Sequence, residues 1–247
     1  MFLDPFYLIV LGLGAVLSIG AQMWVKRKVS KWSEVATSRG MTGAEVAAAI
    51  LRAEGIRDVQ IEPVSGFLSD HYDPSKKVLR LSPDIYRGHS VTAAGIAAHE
   101  VGHALQHAEG YWPMSIRQKM VPVANVGTNL GLWITIIGLV IGVTGIAMAG
   151  VVMFGGFVLF TLITLPVEFD ASARAKRLAL ANGIIFEQER EGMDRVLNAA
   201  DIYALENVAN LERLPATGEP AVAVFWKNVL AVARGDRFFK QAVIFAG

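Results

Sequence analysis

The sequence predicts a mainly α-helical membrane protein that carries a small α+β portion with a short sheet. Three observations predict it. The 247 residues are 53% hydrophobic and only 18% charged, with a mean hydropathy of +0.42, above the usual apolar share of a soluble domain. Two uncharged runs, residues 6–25 and 130–166, are of bilayer length or longer. Between them lies a normally charged stretch in which helical and strand-like patterns alternate.

The first run, FYLIVLGLGAVLSIGAQMWV, suffices to cross a hydrocarbon core of about 30 Å at 1.5 Å per residue. A cleaved leader carries Lys or Arg before its apolar part. Here Asp4 precedes the run, and Lys26, Arg27, Lys28 and Lys31 follow it. A retained span is expected, with the N-terminus outside and the chain from Lys26 onward in the cytoplasm.

Residues 26–118 read as soluble. Thr42-Gly43-Ala44-Glu45 is a capping box and Gly55 a stop, predicting a helix over 43–54. DVQIEPV (58–64) and KVLRL (77–81) alternate as strands, with the turn-rich SGFLSDHYDPSKK between them.

The segment SVTAAGIAAHEVGHALQH comes next, a helix capped by Ser90 or Thr92 and ending near Gly110. His99 and His103, four apart, share one helix face and aim two imidazoles at one point. Residues 91–98 are small and apolar, so this helix is expected to be buried. Buried imidazoles without partners are costly, and a metal ion satisfies them. Glu100 sits one residue further round, where a carboxylate can take a proton from water activated by Zn²⁺. This is the His-Glu-x-x-His signature of zinc peptidases. The chain has no Cys, so any zinc must be held by histidines and carboxylates.

Residues 130–166 are too long for one span and suit two, with a turn among the small residues of 142–156. A hairpin returns the chain to the face on which His99 lies, giving three spans in all. The organisation expected is an N-terminal span (1–25), a cytoplasmic part with the metal helix (26–125), a transmembrane hairpin (126–167) and a C-terminal helical part (168–247).

A catalytic zinc takes a third protein ligand. His107 lies one more turn along the same helix, which strains the geometry. Glu109 stands where a third histidine six residues past His103 would be. Glu168 is the first charge after the hairpin, at the start of a helix expected over 167–181. It is the favoured candidate ligand, the alternative being a complement to that helix's N-terminal dipole. Asp170 fits the dipole role or a bond to the outer nitrogen of His99 or His103.

HYDPSKKVLRLSPDIY, AAHEVGHALQHAEGYWP, VPVAN, the apolar hairpin and TLPVEFDASARA follow in that order. The series resembles the YugP-type neutral zinc metallopeptidases of bacteria, membrane proteins distantly similar to the HtpX and prenyl-protein peptidases. The resemblance covers about residues 2–182. It implies a zincin-like (gluzincin) catalytic part, Zn²⁺ bound by His99, His103 and Glu168, and Glu100 as catalytic base. It also implies a multi-pass protein of the bacterial inner membrane whose site faces the cytoplasm. The tail departs from the pattern, since 187–214 is charged. Residues 221–233 (AVAVFWKNVLAVA) are too short to span and contain Lys227, which suggests an amphipathic or core-packing helix.

The activity expected is endopeptidase cleavage of proteins or peptides. Residues 77–81 are either a free edge for an extended substrate or an internal strand. His71, Tyr72 and Arg174 are candidate donors to the oxyanion, and the sequence does not choose among them. The partners expected are the substrate, the bilayer and a membrane adaptor, with oligomeric state open. The spacing of Gly138 and Gly142 suits packing within the hairpin or between copies. A net charge of +1 gives no sign of a nucleic-acid partner. A catalytically silent scaffold is the competing reading, but it has no need of Glu100. A transporter would place ionisable residues within the spans, and 130–166 has none.

Overall fold

The computed structural model describes residues 5–66 and 69–207, so the tail segment 221–233 lies outside the described residues. In chain order the elements are α1 (Pro5–Ser33), α2 (Gly43–Ala53), β1 (Gln60–Pro63), β2 (His71–Asp73), β3 (Val78–Leu81) and α3 (Pro83–Tyr86). Then follow α4 (Val91–Ala108), α5 (Trp112–Val140), α6 (Thr144–Ala181) and α7 (Glu187–Asn207).

Helix α4 is the axis of the fold. Every residue from Val91 to Gln106 is buried, with α2, α6 and α7 packed around it. Its composition explains this, because Ala93, Ala94, Gly95, Ala97, Ala98 and Gly102 add little volume and let neighbouring backbones approach. Gly102 is a point of especially close approach. A Cβ there would stand 2.6 Å from the carbonyl oxygen of Ala171 on α6. Ser90 caps the helix, its side chain accepting from the Ala93 N–H at 3.1 Å. Gly110, at φ +66°, turns the chain away after Ala108.

Helix α2 begins at the expected capping box. The Glu45 N–H donates to the Thr42 hydroxyl at 3.1 Å, and the Thr42 N–H donates to the Glu45 carboxylate at 2.8 Å. Val46, Ala47, Ile50 and Leu51 form its buried face and join the same core as α4.

The sheet is mixed, in the order β1-β3-β2. β1 runs parallel to β3 (Ile61 opposite Leu79), and β2 antiparallel to it (Tyr72 opposite Leu79). β3 is therefore paired on both sides, which corrects the free-edge reading of 77–81. The physical reason is its burial: Val78, Leu79 and Leu81 are all covered, as a central strand requires. Among the described residues the unpaired edges belong to β1 and β2. β2 occupies a stretch in which the sequence showed only turn residues.

Helices α5 and α6 form an antiparallel hairpin. Its turn falls at Gly142, φ +74°. An added Cβ at Gly127 would meet Met153, at Gly131 the Phe154 and Gly150 backbones, and at Gly138 Ala147. Gly138 thus serves packing within the hairpin. α6 does not start at 167. It is one helix from Thr144 through Pro166 to Ala181, because the change from apolar to charged residues marks a change of surroundings, not of backbone. The boundaries expected at 125/126 and 167/168 both fall inside continuous helices. Among the described residues, α6 is the one helix long and apolar enough to cross a membrane by length and composition, with a mean hydropathy of 2.4 over its apolar window.

Candidate metal centre

Three side chains meet where α4 and α6 touch. Glu168 Oε2 lies 3.2 Å from His99 Nε2 and 3.4 Å from His103 Nε2. All three residues are buried, Glu168 to 1% exposure. The two imidazole rings stand at 89° with centroids 4.7 Å apart, so their Nε2 atoms reach a common point from different directions.

The outer nitrogens reveal which protons these rings carry. Gln106, one turn beyond His103, donates both amide protons, to the Val167 carbonyl at 2.8 Å and to Asp170 Oδ2 at 2.9 Å. Its Oε1 therefore faces His103 Nδ1, at 3.0 Å, and must accept from it. On the other ring, the single hydroxyl proton of Ser172 goes to Asp201 Oδ1 at 2.5 Å. The Ser172 oxygen is left to accept from His99 Nδ1 at 2.9 Å. Burial raises the Asp201 carboxyl pKa, and donation from Ser172 opposes that by favouring the ionised form.

Both histidines then carry a proton on Nδ1, and as neutral imidazoles each presents an Nε2 lone pair toward the Glu168 carboxylate oxygen. Three potential donor atoms in that arrangement are held together by a proton or by a metal ion that replaces it. The donor atoms lie within 4.8 Å of one another, and two imidazole nitrogens with one carboxylate oxygen form a set Zn²⁺ accepts. The residues fit the ion.

Glu100 lies beside this cluster and is 8% exposed. Burial pushes its carboxyl up to about 7, with Asp70 and Glu168 adding to the rise and His99 opposing it. Asp70 is held by the Ser82 N–H (2.7 Å) and hydroxyl (3.0 Å), and burial pushes it up to about 6.

His107 turns away from the cluster, with its Nδ1 2.9 Å from the Tyr72 hydroxyl. Of the candidate oxyanion donors, Tyr72 is thus engaged with His107. His71 Nδ1 donates to the Ser69 carbonyl at 2.8 Å. Arg174 binds Asp170 at 2.6 Å and Glu109 at 2.7 Å. Asp170 reaches the centre indirectly, through Gln106.

Sequence reasoning missed Arg117, Gln106, Ser172 and Asp201. Arg117 Nη2 lies 3.4 Å from the other oxygen of Glu168, Oε1. Gln106 and Ser172 had a local signal, being three residues after His103 and four after Glu168. Arg117 and Asp201 had none, because only the hairpin register and the docking of α7 bring them in.

The fold and the candidate centre together point to a class: a helical protein in which a His-Glu-x-x-His helix meets a carboxylate from a second helix, a donor set that zinc metallopeptidases use. The chain belongs to the family described as "Putative neutral zinc metallopeptidase", whose model matches residues 7–215. It is 44% identical over 194 residues to a Bacillus subtilis (strain 168) protein named "Putative membrane protease YugP", a match covering 78% of this chain and 85% of that one. No solved structure matches. The family identifies the cofactor as Zn²⁺ and the general activity as that of a peptidase.

Proposed function

We propose that this protein is a membrane-bound zinc endopeptidase of the gluzincin type, cleaving protein or peptide substrates at the cytoplasmic surface of the bacterial cell membrane. The observation that carries the proposal is the convergence of two imidazole Nε2 atoms on a buried carboxylate, with Glu100 alongside. His99, His103 and Glu168 hold the ion. When bound, Zn²⁺ supplies a Lewis acid for the scissile carbonyl and lowers the pKa of water from 15.7 to about 7. Glu100 would serve as the general base toward the attacking water and as the acid toward the leaving amine, a task suited to a carboxyl pushed to about 7. Arg117 holds Glu168 Oε1, leaving Oε2 to face the imidazoles.

The hairpin supports the membrane reading. Residues 120–140 and 144–167 carry no Asp, Glu, Lys or Arg, and as helices they measure roughly 31 Å and 36 Å. Leu130, Trp133, Ile137, Val151, Val152, Leu159 and Leu162 point outward from it, more apolar surface than water normally covers. Glu168 then sits one residue beyond the apolar arm, at bilayer-surface level. The basic cluster Lys26–Lys31 near the C-terminal end of α1 favours the cytoplasmic face. β2, an edge strand packed on α4, takes the substrate-pairing role for which 77–81 was one candidate.

The test is digestion of casein or a quenched fluorescent peptide by the detergent-purified full chain. Cleavage that stops with a zinc chelator and returns with Zn²⁺ supports the proposal. No cleavage by the zinc-loaded protein, across a set of soluble and membrane-inserted substrates, favours the silent scaffold.

A further inference from the structure

Each imidazole of the centre is backed by the same kind of device. Behind His99 stand Ser172 and then Asp201, at 2.9 and 2.5 Å. Behind His103 stand Gln106 and then Asp170, at 3.0 and 2.9 Å. In both, a neutral side chain lies between the ring and a carboxylate, and no carboxylate touches an outer nitrogen directly. Ser172 and Gln106 are buried, at 2% and 0% exposure, and Asp201 is 4% exposed. The two carboxylates have different anchors. Asp170 is tied to Arg174, and through it to Glu109. Asp201 comes from α7, a helix that supplies no metal ligand.

We infer that Ser172–Asp201 and Gln106–Asp170 are paired positioning relays, which lock both histidines as Nδ1–H tautomers and so present both Nε2 lone pairs to the metal. The inference rests on the reading of His99, His103 and Glu168 as ligands. A neutral bridge is the chemically apt choice here. The Ser172 hydroxyl proton goes to Asp201 and the two Gln106 amide protons to Asp170 and the Val167 carbonyl, so each side chain can only accept from the imidazole. A carboxylate bonded directly to the ring would also fix the tautomer, but it would place a further negative charge beside a site that already holds Glu168 and Glu100. The relays transmit orientation while the charges stay one bond further out. They also make α7 part of the metal site, since Asp201 decides which way the Ser172 proton points.

The experiment measures zinc affinity of the full-length protein in detergent by competition with a chromogenic chelator, alongside the absorption spectrum of the Co²⁺-substituted form. Ser172→Ala and Gln106→Leu are expected to weaken zinc binding about 10- to 100-fold and to shift the Co²⁺ bands. Asp201→Asn added to Ser172→Ala is expected to cost little more than Ser172→Ala alone, because the two act as one unit. Ser172→Thr, which keeps the hydroxyl, is expected to restore the spectrum. The melting temperature of the zinc-free protein separates these effects from loss of fold. Ser172→Ala and Gln106→Leu variants with wild-type zinc affinity and Co²⁺ spectrum overturn the relays. So do fully additive effects of Ser172→Ala and Asp201→Asn. His99→Ala is the control for the underlying reading. If it leaves zinc affinity unchanged the ligand set itself is wrong, whereas loss of binding in His99→Ala with none in the relay variants sinks only the relays.

Discussion

Gly102 sits between the two histidines of the metal helix, and replacing it with Ala probes how closely the centre depends on the contact between α4 and α6. The added Cβ would meet the Ala171 carbonyl oxygen at 2.6 Å and its Cα at 3.0 Å. An ordinary contact with that oxygen needs about 3.4 Å, so the helices must separate by about 0.8 Å at that point. Overpacking of this kind costs about 1–3 kcal/mol. Ala in place of Gly in a helix returns up to about 1 kcal/mol, so the melting temperature alone moves little. The zinc site is the more sensitive reporter. Ala171 is three residues from Glu168 on α6, so the separation carries Oε2 away from both Nε2 atoms. Metal sites hold ligand distances to about 0.2 Å, and a shift several times larger is expected to weaken zinc binding at least tenfold. Chelator competition measures this, with Gly145→Ala as the control, since an added Cβ there meets nothing within 4 Å. Wild-type zinc affinity in Gly102→Ala would refute the idea that this contact sets the ligand spacing.

Glu100→Gln is expected to keep stoichiometric zinc while cleavage falls by about 10²- to 10⁴-fold, read as kcat alongside metal content. Substantial residual turnover removes Glu100 from the role of base. For the zinc-free protein, Asp70 gives a pH signature. Its folded carboxyl is raised to about 6 from the ordinary 3.8 by burial, so the folded state holds the proton more tightly. Its stabilising contribution is fully present below about pH 3.8 and is lost as pH rises through 6. The melting temperature should decline over that window, and Asp70→Asn should flatten the decline; an unchanged slope contradicts the assignment.

The core of the site was legible in local sequence because helical periodicity is local. Two histidines four apart on a small-residue helix specify their shared face, and the cap at Ser90 and the stop at Gly110 specify where that helix begins and ends. Glu168 was legible for another reason, as the first charge after a long apolar stretch. What escaped was set by tertiary register. Arg117 meets Glu168 only because the turn falls at Gly142 and pairs α5 with α6 in one alignment. Asp201 meets Ser172 only because α7 docks beside α4 and α6. Strand β2 was hidden because His71-Tyr72-Asp73 is short and flanked by turn residues, and its pairing partner β3 decides its conformation. Whether 77–81 was an edge or an internal strand stayed open on the same ground, since alternation shows a strand but not how many neighbours it has, and β3 proves to be the internal one.

Whether one zinc ion is held by His99, His103 and Glu168 can be read from the ion itself, by zinc X-ray absorption on the purified full-length protein. Two imidazole nitrogens at about 2.0–2.1 Å and oxygen scatterers at about 2.0–2.2 Å are expected, with one imidazole lost in His99→Ala and zinc occupancy reduced in Glu168→Ala. A first shell without two imidazoles, or a Glu168→Ala protein with unchanged zinc content and spectrum, would contradict this ligand set.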